Sequence, residues 1–276
     1  MHTVLNKQCQ YLEQIKPLTL LDDQFMSKVF EDVSCVNYLL STLSPYIRDI
    51  VECRGQHKIN NLQGRSVILD LYIIDADDRH FNIEVQRANS GAVPQRARLH
   101  MSLINGNIIF KNEEFKDLPR VCVIFICEHD VFKKGKPVYH IKRVIKETGE
   151  EFDDGEELIY VNGEIDDDGT KEGRMMHDFK CPDPNEMYSE ALQKRVRYLK
   201  ETKEGLEEMS EVFEKIREKG RKEGFDDGRT LGIEIGEQNK MYEIAKKMYN
   251  SAKYKIEDIV FATGMSEKEI KELCIA

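Results

Sequence analysis

The sequence predicts an α/β protein with a mixed sheet, helices packed on that sheet, and a helical C-terminal extension. Three observations predict it. Two segments alternate apolar and polar residues, SVILDLYII (66–74) and FNIEVQ (81–86), the period of a strand with two different faces. PRVCVIFIC (119–127) is a continuous apolar run, as in a strand covered on both faces. These strands are interleaved with stretches of helical periodicity, giving helix, strands, helix, strands, helix.

The elements follow in order. FMSKVFEDVSCVNYLLSTL (25–43) spaces its apolar residues as an amphipathic helix. A first strand is expected around Ile50–Arg54, before the hairpin formed by 66–74 and 81–86. Pro94 opens a helix through QRARLHMSLINGNII. VYHIKRVIK (138–146) and LIYVNGE (158–164) read as further strands. DPNEMYSEALQKRVRYLKE (183–201) reads as a helix opened by Asp183. The domain division expected is 1–201 for the core, 202–250 for a charged helical linker and 251–276 for a small C-terminal unit. The linker carries Gly220, Gly224, Gly228, Gly232 and Gly236, one every four residues. Each costs a helix about 1 kcal/mol relative to Ala, so the segment is either a frayed linker or a close-packed self-association helix. In the last unit, Gly264 separates two short apolar-periodic helices, and Ser266 with Glu269 forms a capping box. This is helix-turn-helix spacing, but Glu267, Glu269 and Glu272 suit a packing unit better than contact with phosphates.

Composition excludes several classes. No apolar run of the 276 residues approaches the roughly 20 needed to span a membrane. The N-terminus, MHTVLNKQCQYLEQIK, has no apolar h-region. Seven scattered cysteines without CxxC pairing point to free thiols, and hence to a cytoplasmic protein. The net charge of −10 weighs against a nucleic-acid partner until it is located. Residues 147–172 hold twelve acids and one base, a local charge of −11 that leaves +1 for the rest of the chain. Within that segment, Asp166-Asp167-Asp168-Gly169 lacks the spacing of a calcium loop and reads as an acidic turn.

The hairpin carries the chemistry. A three-residue turn, Ala76–Asp78, places Leu69 opposite Val85, Leu71 opposite Ile83 and Ile73 opposite Phe81, an all-apolar face. A one-residue slip would bring Glu84 into that face, so this register is preferred. It sets Asp70 directly opposite Glu84, with Gln86 two residues further along the same face. Paired carboxylates repel. Solvent, a basic neighbour, a shared proton or a hard divalent cation would relieve them.

LDLYIIDADDRHFNIEVQ holds the pattern Asp70…Glu84-Val85-Gln86, which resembles the D…(D/E)-x-K core of PD-(D/E)XK nucleases with Gln86 at the usual Lys position. The longer segments DDQFMSKVFED (22–32), GRSVILDLYIIDADDRHFNIEVQRA (64–88) and PQRARLHMSLING (94–106) are similar to the nuclease-family transposases, also called recombination-promoting nucleases. That branch commonly carries Gln for the Lys. The resemblance covers about residues 20–200. It implies a restriction-endonuclease-like core and an endonuclease acting on DNA with Mg²⁺ or Mn²⁺. It further implies Asp70, Glu84 and the Val85 carbonyl as metal ligands and Gln86 as the residue that positions water. Glu31, Asp32 and Glu52 are candidates for a second metal. Arg87, Arg96 and Arg98 are candidates for phosphate contacts. The histidines, His100 among them, show no ligand spacing and read as unremarkable. A rival reading keeps the scaffold without catalysis, as a DNA-binding or oligomeric interaction protein.

Overall fold

The computed structural model describes residues 13–44, 47–61, 64–165 and 167–275. They form two compact units that divide between Val212 and Phe213. Cys9 and Asp166 lie outside the described residues.

The first unit is built on a six-stranded mixed sheet. Its strands are β1 (Ile50–Ile59), β2 (Val67–Asp75), β3 (His80–Gln86), β4 (Val121–Cys127), β5 (Val138–Ile141) and β6 (Glu156–Asn162), in the spatial order β1-β2-β3-β4-β6-β5. β1, β2 and β3 are antiparallel neighbours, β3-β4 and β4-β6 are parallel, and β5 pairs antiparallel with β6. β4 is buried at every position, so both faces of the sheet are covered, as its apolar run predicts.

The segment 25–43 is two helices, not one: α1 (Asp23–Val29) and α2 (Val33–Leu43). Asp32 interrupts the pattern because its carboxylate accepts from the Ser34 N–H at 2.8 Å and caps α2. The apolar period continues across the break, which hides it from a sequence reading. α3 (Pro94–Ile108) starts at its proline as expected, connects β3 to β4, and packs against β4 and β1. Its Ala97, Met101 and Ile104 share a core with Val121, Val123 and Phe125 of β4.

Two helices differ from expectation. α4 (Lys171–Lys180), capped by Thr170, follows the acidic segment and buries Met175, Met176 and Phe179. α5 (Glu190–Glu201) begins six residues later than Asp183 suggests, because Ser189 is its cap. Asp183 instead accepts from the Asn185 N–H within the preceding loop. β5 stops at Ile141, and beyond it only an isolated bridge joins Val144 to Glu151.

Lys200 of α5 ties this layer together. Its buried ammonium donates to the carbonyls of Lys16 (2.9 Å), Leu18 (2.6 Å) and Pro182 (2.6 Å), which holds the chain leading into α1. Burial lowers its pKa to about 8.

The second unit contains most of α6 (Lys203–Asn250), α7 (Ile256–Thr263) and α8 (Glu267–Ile275). α6 is continuous through all five glycines, and a Cβ at any of them would meet nothing within 4 Å. α7 and α8 close on Ala245 through Ile259, Met265 and Ile270. Gly264 caps α7 at φ +69°, a conformation that favours glycine. The Ser266/Glu269 box forms as expected.

Lys200→Met should remove three charge-assisted hydrogen bonds and take the Lys200 donor from three carbonyls. The expected loss, read from urea unfolding midpoints, is about 2–4 kcal/mol.

Candidate functional site

The hairpin takes the all-apolar register. Leu71 pairs with Ile83, Tyr72 with Asn82, Ile73 with Phe81 and Ile74 with His80. Ala76–Asp78 form the turn, with Asp78 at φ +56°. Asp75, itself buried, builds the turn by accepting from the N–H groups of Asp77 (3.0 Å) and Arg79 (2.9 Å).

The β2-β3 ladder ends at Leu71/Ile83, and Val85 has no partner in it. There the carboxylates take over as acceptors. The Val85 N–H donates to Asp70 Oδ2 at 3.1 Å, and the Asp70 N–H donates to Glu84 Oε1 at 3.3 Å. The parting of the strands therefore holds Asp70 and Glu84 side by side. From β1, Gln56 reaches Asp70 Oδ1 with its amide at 3.5 Å. Gln56 has φ +49°, a left-handed conformation uncommon for a residue with a side chain.

Glu84 is fully buried, while Asp70 and Gln86 are partly exposed. The countercharge comes from Arg96 in the first turn of α3. One guanidinium nitrogen donates to Glu84 Oε2 at 2.7 Å. The other donates to Gln86 Oε1 and to the Gly91 carbonyl, both at 3.1 Å. Arginine can only donate, so the Gln86 amide must turn its oxygen toward Arg96 and its NH₂ away. Gly91 makes room for this, since a Cβ there would lie 1.9 Å from Gln86 Oε1. Arg96 Nε also donates to His100 Nε2 at 3.4 Å. His100 Nδ1 lies 3.1 Å from the Asn82 amide nitrogen and 3.4 Å from Glu84 Oε1.

Burial, then the charge of Glu84, pushes the Asp70 carboxyl up to about 7 against the pull of the Val85 N–H and Arg96. Asp23, at the start of α1, adds to this and is itself raised, first by desolvation and then by Asp22 and Glu84. The site thus carries more negative charge than Arg96 alone offsets. Among the described residues no cluster of three or more His, Cys, Asp or Glu side chains could hold a metal ion. The donors are two carboxylates beside a backbone freed from its ladder, all oxygen. That set fits a hard divalent cation, which often takes only one or two carboxylates.

The family profile of the PD-(D/E)XK nuclease family transposases matches residues 33–258. The chain belongs to that family. No curated protein and no solved structure matches it. The six-stranded mixed sheet with its flanking helices is the restriction-endonuclease-like α/β fold of these nucleases.

Of the residues that the motif singles out in this nuclease-family chain, Asp70, Glu84, Val85, Gln86 and Arg96 come together. Arg87 and Arg98 are exposed. Arg87 is paired with Asp22 (3.5 Å) and Glu128 (3.3 Å), whereas Arg98 has no ion-pair partner among the described residues. The three second-metal candidates are elsewhere. Glu31 pairs with Lys28 at 2.7 Å, Asp32 caps α2, and Glu52 sits opposite Ile74 and pairs with Arg54. The third carboxylate that acts on the pair is Asp23. The sequence reading also passed over Gln56, Gly91 and His100. His100 had one available signal, its i+4 spacing from Arg96 on a helix.

An ionised Asp70 destabilises this fold above pH 7, because its folded pKa lies above its unfolded value of 3.8. The penalty fades as pH falls from about 7 to 4. Asp70→Asn should therefore stabilise the metal-free protein at pH 8 by roughly 2–4 kcal/mol and by nothing at pH 4. Millimolar Mn²⁺ should raise the melting temperature of the wild type but not of Asp70→Asn.

Proposed function

We propose that this protein is a Mg²⁺- or Mn²⁺-dependent DNA endonuclease that hydrolyses phosphodiester bonds in recombination or mobile-element biology. One observation carries the reading: Asp70 and Glu84 are held side by side where β2 and β3 part, with Gln86 and Arg96 in contact beside them. Asp70, Glu84 and the Val85 carbonyl would hold the ion. When bound, it activates water and polarises the scissile phosphodiester.

The chain's own groups supply the rest. Gln86, with its oxygen engaged by Arg96, presents donors to the site, so it orients a water through the water's lone pair or holds a phosphate oxygen. Arg98 and Arg87 offer cations to the flanking backbone, although Arg87 must first exchange its carboxylate partners. In the net reaction the water oxygen bonds to phosphorus as the P–O3′ bond breaks. The O3′ leaves with a proton, and a 5′-phosphate remains.

The acidic segment divides on the sheet: its second half, from Glu164, follows Asn162, which is level with Cys127 and Gln86, whereas its first half lies at the far end. Glu156 lies beside Val121, and Val121 beside His80, at the opening of β3. Glu84 is four residues further on, roughly 13 Å along the strand. No helix among the described residues is long and apolar enough to cross a membrane. The described cysteines are free, in keeping with work in a reducing cytoplasm.

Purified protein with Mg²⁺ or Mn²⁺ should nick supercoiled plasmid. Asp70→Ala and Glu84→Ala should each lower the rate at least about a hundredfold. Equal nicking by wild type and Asp70→Ala would remove this mechanism. A non-catalytic DNA-binding protein is the second reading, favoured by the Arg96–Glu84 pair, which already satisfies the buried carboxylate without a metal. Salt-dependent DNA binding that ignores Asp70→Ala, with no cleavage in any metal, would establish it.

We propose further that α6 pairs with α6 of a second copy. Phe225, Leu231, Ile235 and Tyr242 are 69, 57, 48 and 40% exposed, and at about 100° per residue they share a face with Gly224, Gly228 and Gly232. Sedimentation should give a dimer for the wild type and a monomer for the double variant Leu231→Glu/Ile235→Glu. A monomeric wild type at tens of micromolar would end the proposal.

A further inference from the structure

We infer that Arg96 supplies the positive charge that the motif loses by carrying Gln86 in place of lysine, and that it does so from α3 rather than from β3. The inference rests on the nuclease reading above and names a further residue of that site.

The geometry is specific. A lysine at 86 would extend from the end of β3 along the face that holds Glu84. In this chain the cation at that place is a guanidinium, 2.7 Å from Glu84 Oε2 and 3.1 Å from Gln86 Oε1. It is fixed there from three other directions. The Gly91 carbonyl accepts from the same nitrogen that bonds Gln86, His100 Nε2 accepts from Nε, and the α3 backbone anchors the chain at the helix's third residue. Gly91 has no side chain to block the approach. Gln86 is thus the adaptor that a displaced cation needs. It is neutral, it offers an acceptor, and it leaves room where a lysine would repel the guanidinium.

Arg96 is also only partly buried, its side chain 34% exposed, while Glu84 beneath it is at 0%. It therefore forms the border between the buried carboxylate and the solvent from which DNA arrives. An arginine in that position can keep one nitrogen on Gln86 and turn the other from Glu84 to an incoming phosphate oxygen, a bidentate exchange that its planar fork permits. Arg96 and a divalent ion would both draw on the Glu84 carboxylate, so the protein holds one cation there in the resting state and would share the carboxylate between two when loaded.

Three proteins test this beside the wild type: Arg96→Ala, Gln86→Lys, and the double variant Arg96→Ala/Gln86→Lys. The first readout is the single-turnover nicking rate at saturating DNA. Arg96→Ala should be slower by about a hundredfold, the scale of losing one charge-stabilising donor. The double variant should recover at least about tenfold of that, because the lysine restores a cation at the same place. Gln86→Lys alone should be slower than wild type, since two cations then crowd one carboxylate. The second readout is Mn²⁺ affinity by electron paramagnetic resonance without DNA, where Arg96→Ala should bind about three- to tenfold more tightly. Thermal melting identifies any variant that fails to fold, and the neutral Arg96→Gln then replaces Arg96→Ala in both the single and the double variant.

A rate for Arg96→Ala within threefold of wild type would overturn the inference, as would a double variant no faster than Arg96→Ala. Absence of nicking by the wild type would instead sink the nuclease reading. The Mn²⁺ measurement then decides for Arg96, because unchanged affinity in Arg96→Ala means that it does not share Glu84 with a cation.

Discussion

Glu84 is a carboxylate with no exposure to solvent, and the candidate site is organised around its need for a countercharge. An isolated ionised carboxylate in that position is untenable, and removing one partner of such a buried pair typically costs about 3–5 kcal/mol. The neighbouring features follow from this. Arg96 must stand at the start of α3, which requires the chain to turn sharply after β3, and Gly91 permits that turn to approach Gln86. His100 must lie one helical turn further on to occupy the remaining side of Arg96 and Glu84. The crossover helix between two parallel strands is thereby also the carrier of the site's cation.

The same constraint explains why the β2-β3 ladder stops where it does. Had it continued, Val85 and Leu69 would have been the next hydrogen-bonded pair. Instead Asp70 Oδ2 takes the Val85 N–H and Glu84 Oε1 takes the Asp70 N–H. Each carboxylate gains a backbone donor, which offsets part of the repulsion between them. Burial and Glu84 nevertheless outweigh these donors at Asp70, whose carboxyl stays up at about 7. The imbalance that remains after these donors have been used is what supports the proposal of a further cation at this site.

The hairpin was legible because its register is a matter of polarity: one slip puts Glu84 into an apolar face. The strand β4 was legible for the same reason. The helix break at Phe30–Asp32 and the late start of α5 were not, because caps are chosen locally among several Asp and Ser residues and the apolar period does not report the choice. α4 was missed because its apolar Met175, Met176 and Phe179 lie among charges. At the site, residues within a few positions of the motif could be read, including Arg96. Asp23 and Gln56 could not, since they arrive from α1 and β1 and their approach depends on packing. Ser27 lies against β1 so closely that a Cβ on Gly55 would be 2.2 Å from its Oγ. Only the folded chain shows that this contact puts the start of α1 at the rim of the carboxylate pair.

The charge of −10 reads differently once it is placed on the sheet. Several acids of the 147–172 segment are matched by bases of the same unit: Glu151 by Lys142, Asp153 by Arg120, and Asp154 and Glu156 by Arg143. These exposed pairs contribute little stability each, but they shorten the reach of the segment's field. At the other end of the same strands Glu84 is buried and Asp70 partly exposed, and of the nearby bases Arg96 is the one that bonds the pair. The matched acids precede or open β6, whereas Glu164, Asp167 and Asp168 follow it, at the end where Gln86 closes β3. That distribution makes overall charge a poor guide to the partner, and it makes the local imbalance at Asp70 and Glu84 the informative quantity.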